Sequence, residues 1–154
     1  MTVIRAKPKT KRAIRSVRRR SAVRLPYVVF ISHSSLDRWI AKTMAEKLRR
    51  RGVETWIDEI DLDAGAVVVN RILEGVDACH EAVILVSPNS ALSQWVAFEI
   101  GAARSQRKRV TPVLCNVDHK AISPLQDVKA LELNDFDVFL RQLRNRLDRR
   151  RKKR

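Results

Sequence analysis

Short apolar runs and amphipathic segments alternate along the chain from residue 27 onward. Residues 27–32 are apolar and rich in β-branched and aromatic side chains, as in a strand that is buried on both faces of a sheet. Similar runs occur at residues 54–58, 81–87 and 110–115, and a weaker one lies near residues 130–133. The pattern therefore predicts five strands.

The segments between these runs carry apolar residues three to four positions apart, which is typical of helices with one buried face. Helices are predicted at residues 36–51, 67–78, 93–107 and 136–149, and Gly52 is a stop signal after the first of them. Strand–helix alternation favours a parallel sheet that helices cover on both faces, joined by right-handed crossovers. We predict an α/β fold with a flavodoxin-like, five-stranded parallel sheet, and we interpret Trp39 and Trp56 as core residues.

Positive charge is concentrated at the two ends of the sequence. The formal net charge of the 154 residues is +15, yet residues 26–148 hold sixteen basic and seventeen acidic side chains. Residues 1–25 hold ten basic residues and no acid, and residues 149–154 are all basic. We predict a flexible basic arm at 1–25, one folded domain at 26–148 and a basic tail at 149–154. The tails could bind nucleic acid or an anionic surface, or could only add solubility; no basic face is required within the domain.

Several classes of protein and of site are not indicated. No apolar run is long enough for a transmembrane helix and no secretory signal is recognisable, so a cytoplasmic location is expected, although the Arg-rich N-terminus also resembles a transit peptide. Cys79 and Cys115 are interpreted as small buried hydrophobic residues. The three histidines, His33, His80 and His119, lack metal-ligand spacing, and we expect no metal site. A phosphate-binding loop and a nucleophile elbow are also absent from the sequence.

Three polar loops should meet at the carboxyl ends of the predicted strands, where open parallel sheets bind ligands. They span residues 33–37, 59–65 and 87–93, and the helix after the third loop begins at the same edge. On that helix Trp95 and Glu99 are four residues apart and share one face. A carboxylate near a helix N-terminus is stabilised as the anion.

Four segments resemble the signature boxes of Toll/interleukin-1 receptor (TIR) domains, in the right order and spacing. They are residues 27–37, residues 56–58 with Leu62 and Gly65, residues 86–90 with 93–99, and residues 109–114. Together the boxes cover roughly residues 26–148, and the sequence looks most like the bacterial branch of the family. The resemblance implies a flavodoxin-like fold. It also implies either an assembly module of immune signalling or an enzyme that hydrolyses or cyclises NAD⁺, which in bacteria often serves antiphage defence.

The enzymatic branch of the family suggests a role for each matching residue. Its catalytic glutamate falls on Glu99 and its pocket-lining aromatic residue falls on Trp95. Further substrate contacts fall on His33, Ser34 and Ser35 after the first strand, and on Leu62 and Gly65 in the second loop. NAD⁺ is then a substrate and no separate cofactor is expected. The resemblance further implies self-association through TIR–TIR contacts and a separate sensor or effector protein.

Simpler interpretations stay open for the same residues. Glu99 could be an exposed helix acid or a partner of Arg104, and Trp95 could be a core aromatic residue. Ser34, Ser35 and Asp37 could serve only to cap the first helix. Residues 66–69 are apolar where relatives commonly have polar side chains, which leaves the role of this loop in doubt. A non-catalytic TIR–TIR interaction module is the alternative function, and an adaptor driven by the basic tails is a third.

Overall fold

The computed structural model describes residues 26–57, 68–91, 93–118, 120 and 125–153. In order along the chain these residues form β1 (Val28–Ser32), a 3₁₀ turn (Ser35–Asp37), α1 (Arg38–Arg49), β2 (Glu54–Ile57), α2 (Val68–Ala78), β3 (Glu81–Val86), α3 (Gln94–Ser105), β4 (Arg109–Leu114), β5 (Leu131–Glu132), a second 3₁₀ turn (Leu133–Asp135) and α4 (Phe136–Lys152). The predicted basic arm at 1–25 and the predicted loop at 59–65 lie outside these residues.

The described strands form one parallel sheet in the order β2-β1-β3-β4-β5. This order reverses direction between β1 and β3, as in flavodoxin-like folds. The predicted fold class is therefore confirmed. β3 lies at the centre of the sheet and all six of its residues are buried, which explains why its sequence is apolar after the initial Glu81.

The core has one layer on each face of the sheet. α1 and α4 cover one face with residues such as Met44, Leu48 and Phe139. α2 and α3 cover the other with Ile72, Val76 and Ile100. In the described part of the chain, no helix is both long enough and apolar enough to cross a bilayer.

The two tryptophans interpreted as core residues differ. Trp56 is partly buried, stacks on Phe30 with ring centroids 5.4 Å apart, and lies so close to Gly75 of α2 that a side chain there would overlap its ring. Trp39, by contrast, is 71% exposed, so its interpretation as a core residue is wrong. It belongs to the outer surface of α1, whose buried face instead carries Ile40, Ala41 and Met44.

The first helix is two residues shorter at each end than predicted. A 3₁₀ turn precedes α1, and the helix ends at Arg49, three residues before Gly52. Gly52 has a φ of 74°, a left-handed conformation that glycine adopts without strain, and its N–H donates to the Arg49 carbonyl at 2.9 Å. At the other end of the chain, α4 extends to Lys152, so residues 149–152 of the predicted tail are helical.

Candidate active site

The first wall of the candidate site is the turn that follows β1 at the carboxyl edge of the sheet. Ser34 caps the 3₁₀ turn, because its Oγ accepts from the Leu36 N–H at 3.4 Å and its carbonyl accepts from the Asp37 N–H at 2.8 Å. Ser34 therefore caps the 3₁₀ turn that precedes α1 rather than α1 itself. The side chain of Asp37 makes no capping hydrogen bond.

Asp37 instead joins this turn to the loop after β3. Its carboxylate is 6% exposed and accepts from the Ser87 hydroxyl at 2.5 Å and from the Asn89 side-chain amide at 2.9 Å. These partners are 50 and 52 residues away along the chain. The bonds therefore fix the relative position of two loops at the strand ends.

The loop after β3 is itself closed by hydrogen bonds. The Ser87 Oγ accepts from the N–H groups of Asn89 and Ser90 at 3.1 and 3.2 Å, while the Ser87 N–H donates to the Ser90 Oγ at 2.7 Å. Because the Ser87 oxygen accepts from two backbone groups, its proton is directed to Asp37. The loop is thus held in one shape by two serines and a carboxylate.

The second wall is the first part of α3. Ser93 caps this helix, with its Oγ accepting from the Val96 N–H at 3.3 Å. Trp95 lies in the first turn and is 46% exposed, so it is not a core residue. Glu99 lies one turn further and is only 2% exposed, so it is not the exposed helix acid that a surface position would give.

A cavity of about 90 Å³ lies between these walls. Its lining within the described residues is His33, Ser34, Ser35, Arg38, Ser93, Trp95 and Glu99. Five residues that the sequence singled out are thus brought together from segments about 60 residues apart. The other two, Leu62 and Gly65, lie outside the described residues.

Sequence reasoning missed two residues of this lining, Arg38 and Ser93. Arg38 opens α1 directly behind the first loop, and it is partly buried. Its position as the first cation after a strand-end loop was a usable signal, because anionic ligands bind at this edge of parallel sheets. Ser93 was recognisable as the residue that caps α3.

Arg104, the cation considered as a partner of Glu99, binds another acid. Its guanidinium forms two parallel hydrogen bonds of 2.8 Å with the carboxylate of Asp127. These bonds hold the pKa of Asp127 below its usual value. Within the described residues, no cluster of three or more His, Cys, Asp or Glu side chains could hold a metal ion.

A family model for the TIR domain matches residues 29–146. The chain belongs to the TIR-domain family. Among curated relatives, it is 30% identical over 95 residues to the 2′ cyclic ADP-D-ribose synthase BtTIR of Bacteroides thetaiotaomicron, a match covering 61% of this chain and 33% of the relative. It is 26% identical over 122 residues to the NAD(+) hydrolase TcpC of Escherichia coli, covering 73% of this chain and 40% of that protein.

Solved TIR domains share the fold. The TIR domain of the Toll-related receptor TRR-2 from Hydra magnipapillata superposes with a TM-score of 0.60 at 23% identity, covering 80% of this chain and 97% of that one. This TIR chain spans only about a third to two fifths of the length of the two enzymes named above. Both of those relatives are therefore considerably longer than the region they share with it.

Proposed function

We propose that this TIR domain cleaves NAD⁺ at the nicotinamide–ribose bond, releasing nicotinamide and either ADP-ribose or a cyclic ADP-ribose. The observation that carries the proposal is the buried carboxylate of Glu99 beside a cavity at the carboxyl edge of the sheet. Burying a carboxylate is costly unless the site uses or compensates its charge. The names of the two bacterial relatives, a cyclic ADP-ribose synthase and an NAD⁺ hydrolase, support this substrate.

One carboxylate is sufficient for this chemistry. Ordinary glycosidases use two, because the departing oxygen must be protonated. The nicotinamide of NAD⁺ is a pyridinium, so it leaves as a neutral molecule when the bonding electron pair moves to its ring nitrogen. What remains is the positive charge that develops on the ribose, and an anion such as Glu99 stabilises it in a site shielded from water.

The other lining residues fit the remaining parts of the substrate. The partly exposed indole of Trp95 offers a ring face to the cationic pyridinium, an attraction of about 0.5–2 kcal/mol. The side chains of His33, Ser34 and Ser35 supply hydrogen-bonding groups for ribose hydroxyls or the carboxamide. We assign Arg38 to the diphosphate, because a guanidinium binds phosphate oxygens in pairs.

Self-association is part of the proposal because the cavity is small. A site that encloses a drug-sized ligand usually has a volume of about 300–1,000 Å³, and the cavity here is about 90 Å³. We propose that the second loop, with Leu62 and Gly65, and a neighbouring protomer supply further walls. Leu36 and Trp39, adjacent to the cavity-lining residues, are 73% and 71% exposed and form an apolar surface suited to such a contact.

The setting that we propose is bacterial immune signalling in the cytoplasm, with a separate sensor or effector protein controlling assembly. The bacterial origin of the two enzymatic relatives supports the bacterial setting. The antiphage role follows from the family resemblance. No separate cofactor enters the proposed reaction.

The decisive experiment measures nicotinamide release. The full chain is concentrated on beads, NAD⁺ is added and the products are separated by chromatography, which also distinguishes ADP-ribose from its cyclic forms. Glu99→Gln removes the negative charge and should lower the rate by about 10²–10³-fold, as for the loss of one preorganised electrostatic group. Glu46→Gln is the matched control, because Glu46 is an exposed acid on α1 outside the cavity lining, and it should keep full activity.

The same experiment separates the proposed enzyme from a non-catalytic TIR–TIR interaction module. The exposed pair Leu36 and Trp39 is the observation that favours such a module. If the bead-bound chain releases no nicotinamide, or if a folded Glu99→Gln variant is as active as the Glu46→Gln control, the catalytic proposal fails. Concentration-dependent association that Trp39→Ser abolishes would then identify the module.

A further inference from the structure

The start of β1 and the end of α4 lie close together at the amino edge of the sheet. β1 begins there at Val28. The last turns of α4 reach that edge too. Arg146 forms two 3.0 Å hydrogen bonds with the carboxylate of Glu81, the first residue of β3, and the Arg150 guanidinium lies 5.6 Å from the ring centroid of Tyr27.

The folded domain adds basic residues of its own at this edge. Arg49, Arg50 and Arg51 are exposed where α1 turns into β2, and the Glu54 N–H that follows them donates to the Tyr27 carbonyl at 2.9 Å. A third group precedes and opens β4, whose first residue is aligned with Glu81 in the sheet. We call the whole set the basic pole: Arg49, Arg50, Arg51, Arg107, Lys108, Arg109, Arg146, Arg149, Arg150, Arg151, Lys152 and Lys153.

The cations outnumber the acids at this edge, where Glu54 and Asp77 are exposed. The buried carboxylate of Glu81 is already bound by Arg146, and Asp148 lies 3.8 Å from Arg151. Among the described residues, no carboxylate lies within salt-bridge distance of Arg50 or Arg51. Seven members of the pole lie within residues 26–148, so part of the basic charge of this near-neutral region is gathered at one edge of the sheet.

Helix stabilisation explains only a small part of this surface. A cation in the last helical turn interacts favourably with the helix dipole, by about 0.3–1 kcal/mol, but this effect is confined to that turn. It does not apply to Arg109, the first residue of β4, whereas the Lys108 ammonium donates to the Asp77 and Cys79 carbonyls at the end of α2 at 3.1 and 2.7 Å. Neighbouring cations repel one another, so such a cluster is favourable mainly when an anion binds it.

We propose that the basic pole binds the phosphate backbone of double-stranded nucleic acid without sequence preference. Most of its residues are arginines, whose planar guanidinium matches the geometry of phosphate oxygens. A lipid surface fits less well, because membrane-surface helices also present large apolar side chains. In the described part of the chain, the exposed large hydrophobic residues are Leu36, Trp39, Leu73, Trp95 and Phe98, and each is more than two residues along the chain from any member of the pole.

The pole and the Glu99 cavity lie at opposite edges of the sheet. Strands of five or six residues separate the two edges, which corresponds to roughly 15–20 Å at about 3.3 Å per residue. A duplex bound at the pole therefore leaves the cavity open. Several domains bound along one duplex would also be brought to a high local concentration.

The test is fluorescence anisotropy with the full chain and a labelled DNA duplex of arbitrary sequence, about 20 base pairs long, titrated at salt concentrations between about 50 and 200 mM. The test variant is Arg50→Gln/Arg51→Gln. The matched control is Arg71→Gln/Lys120→Gln, which removes the same charge from two exposed positions outside the pole. Both variants keep the two basic ends of the sequence.

We expect the slope of log affinity against log salt to fall in magnitude by about 1.8 for the test variant, since each phosphate contact contributes about 0.9. The control should bind like the unaltered chain. An RNA duplex should bind as well, and vesicles of phosphatidylserine with phosphatidylcholine should bind more weakly than DNA. Equal losses in the two variants, no duplex binding, or stronger binding to the vesicles would overturn the proposal. None of these measurements depends on NAD⁺ cleavage.

Discussion

Removing the carboxylate of Asp37 should destabilise the domain and loosen the candidate site together. Asp37→Ala deprives the Ser87 hydroxyl and the Asn89 amide of their acceptor. A hydrogen bond to a charged group contributes about 1.5–3 kcal/mol. Ser87 is buried and cannot exchange its partner for water, whereas Asn89 is exposed and can be hydrated. We therefore expect the free energy of unfolding to fall by about 3 kcal/mol, mostly through Ser87.

Urea unfolding measures this loss as a lower midpoint at an unchanged slope. A double-mutant cycle with Ser87→Ala should show a coupling of about 1–2 kcal/mol, because the two side chains share one hydrogen bond. Asp137→Ala is the control, since Asp137 is an exposed acid whose 3.6 Å pair with Lys47 contributes at most about 1 kcal/mol. A loss for Asp37→Ala no greater than that of the control, or strictly additive effects with Ser87→Ala, would refute the reasoning.

Three further predictions concern the core, the amino edge of the sheet and the cavity. Gly75→Ala should lower the melting temperature. Overlap of the new methyl group with the Trp56 ring costs about 1–3 kcal/mol, which is more than the stability gained from the better helix propensity of alanine. A higher melting temperature would contradict this. Burial lowers the pKa of His80 below its usual 6.5, and Arg150 and Lys108 lower it further, so the folded protein favours the neutral ring, whose Nδ1 accepts from a backbone N–H. The stabilisation that His80 provides should be complete above pH 6.5 and should decline as the pH falls below it. Between about pH 7.5 and 5.5, the urea midpoint of His80→Gln should therefore change less steeply with pH than that of the unaltered chain. Arg38→Gln should raise the KM for NAD⁺ about tenfold or more with kcat little changed, since it removes binding common to substrate and transition state; a loss confined to kcat would exclude this role.

The strands were predictable because a strand that is buried on both faces of a sheet has a nearly continuous apolar sequence. The central strand β3 is apolar after its first residue, Glu81, and is wholly buried in the sheet. The outer surface of α1 was harder, because apolar spacing alone does not identify which side chains another layer covers. Trp39 follows the apolar pattern, yet no other layer covers it and it stays exposed. The spacing of apolar residues over a few positions also cannot distinguish a 3₁₀ turn from the first turn of an α-helix.

The candidate site was predictable only where its residues share a local element. Trp95 and Glu99 are one helical turn apart, so their common face followed from spacing. The link from Asp37 to Ser87 spans 50 residues. Three serines occur close together between β3 and α3, and the sequence does not indicate which of them a carboxylate will bind. Arg38 joined the lining because the turn before α1 directs the helix start toward α3, a relation that exists only in the folded chain.

The fold itself explains where charge collects. In a parallel sheet with crossover helices, each helix that returns to begin a new strand ends at the amino edge, so cations that favour helix C-termini gather there. This tendency alone would distribute them over all the helices. The last turn of α2 has no basic residue of its own, although Lys108 donates to the carbonyls at its end. In the last turn of α3, Arg104 is bound to Asp127. The cations are instead concentrated on α1 and α4, which cover the same face of the sheet, and on the start of β4. Dipole stabilisation accounts for a cation or two at each helix end, so the denser clusters at the ends of α1 and α4 favour a bound polyanion.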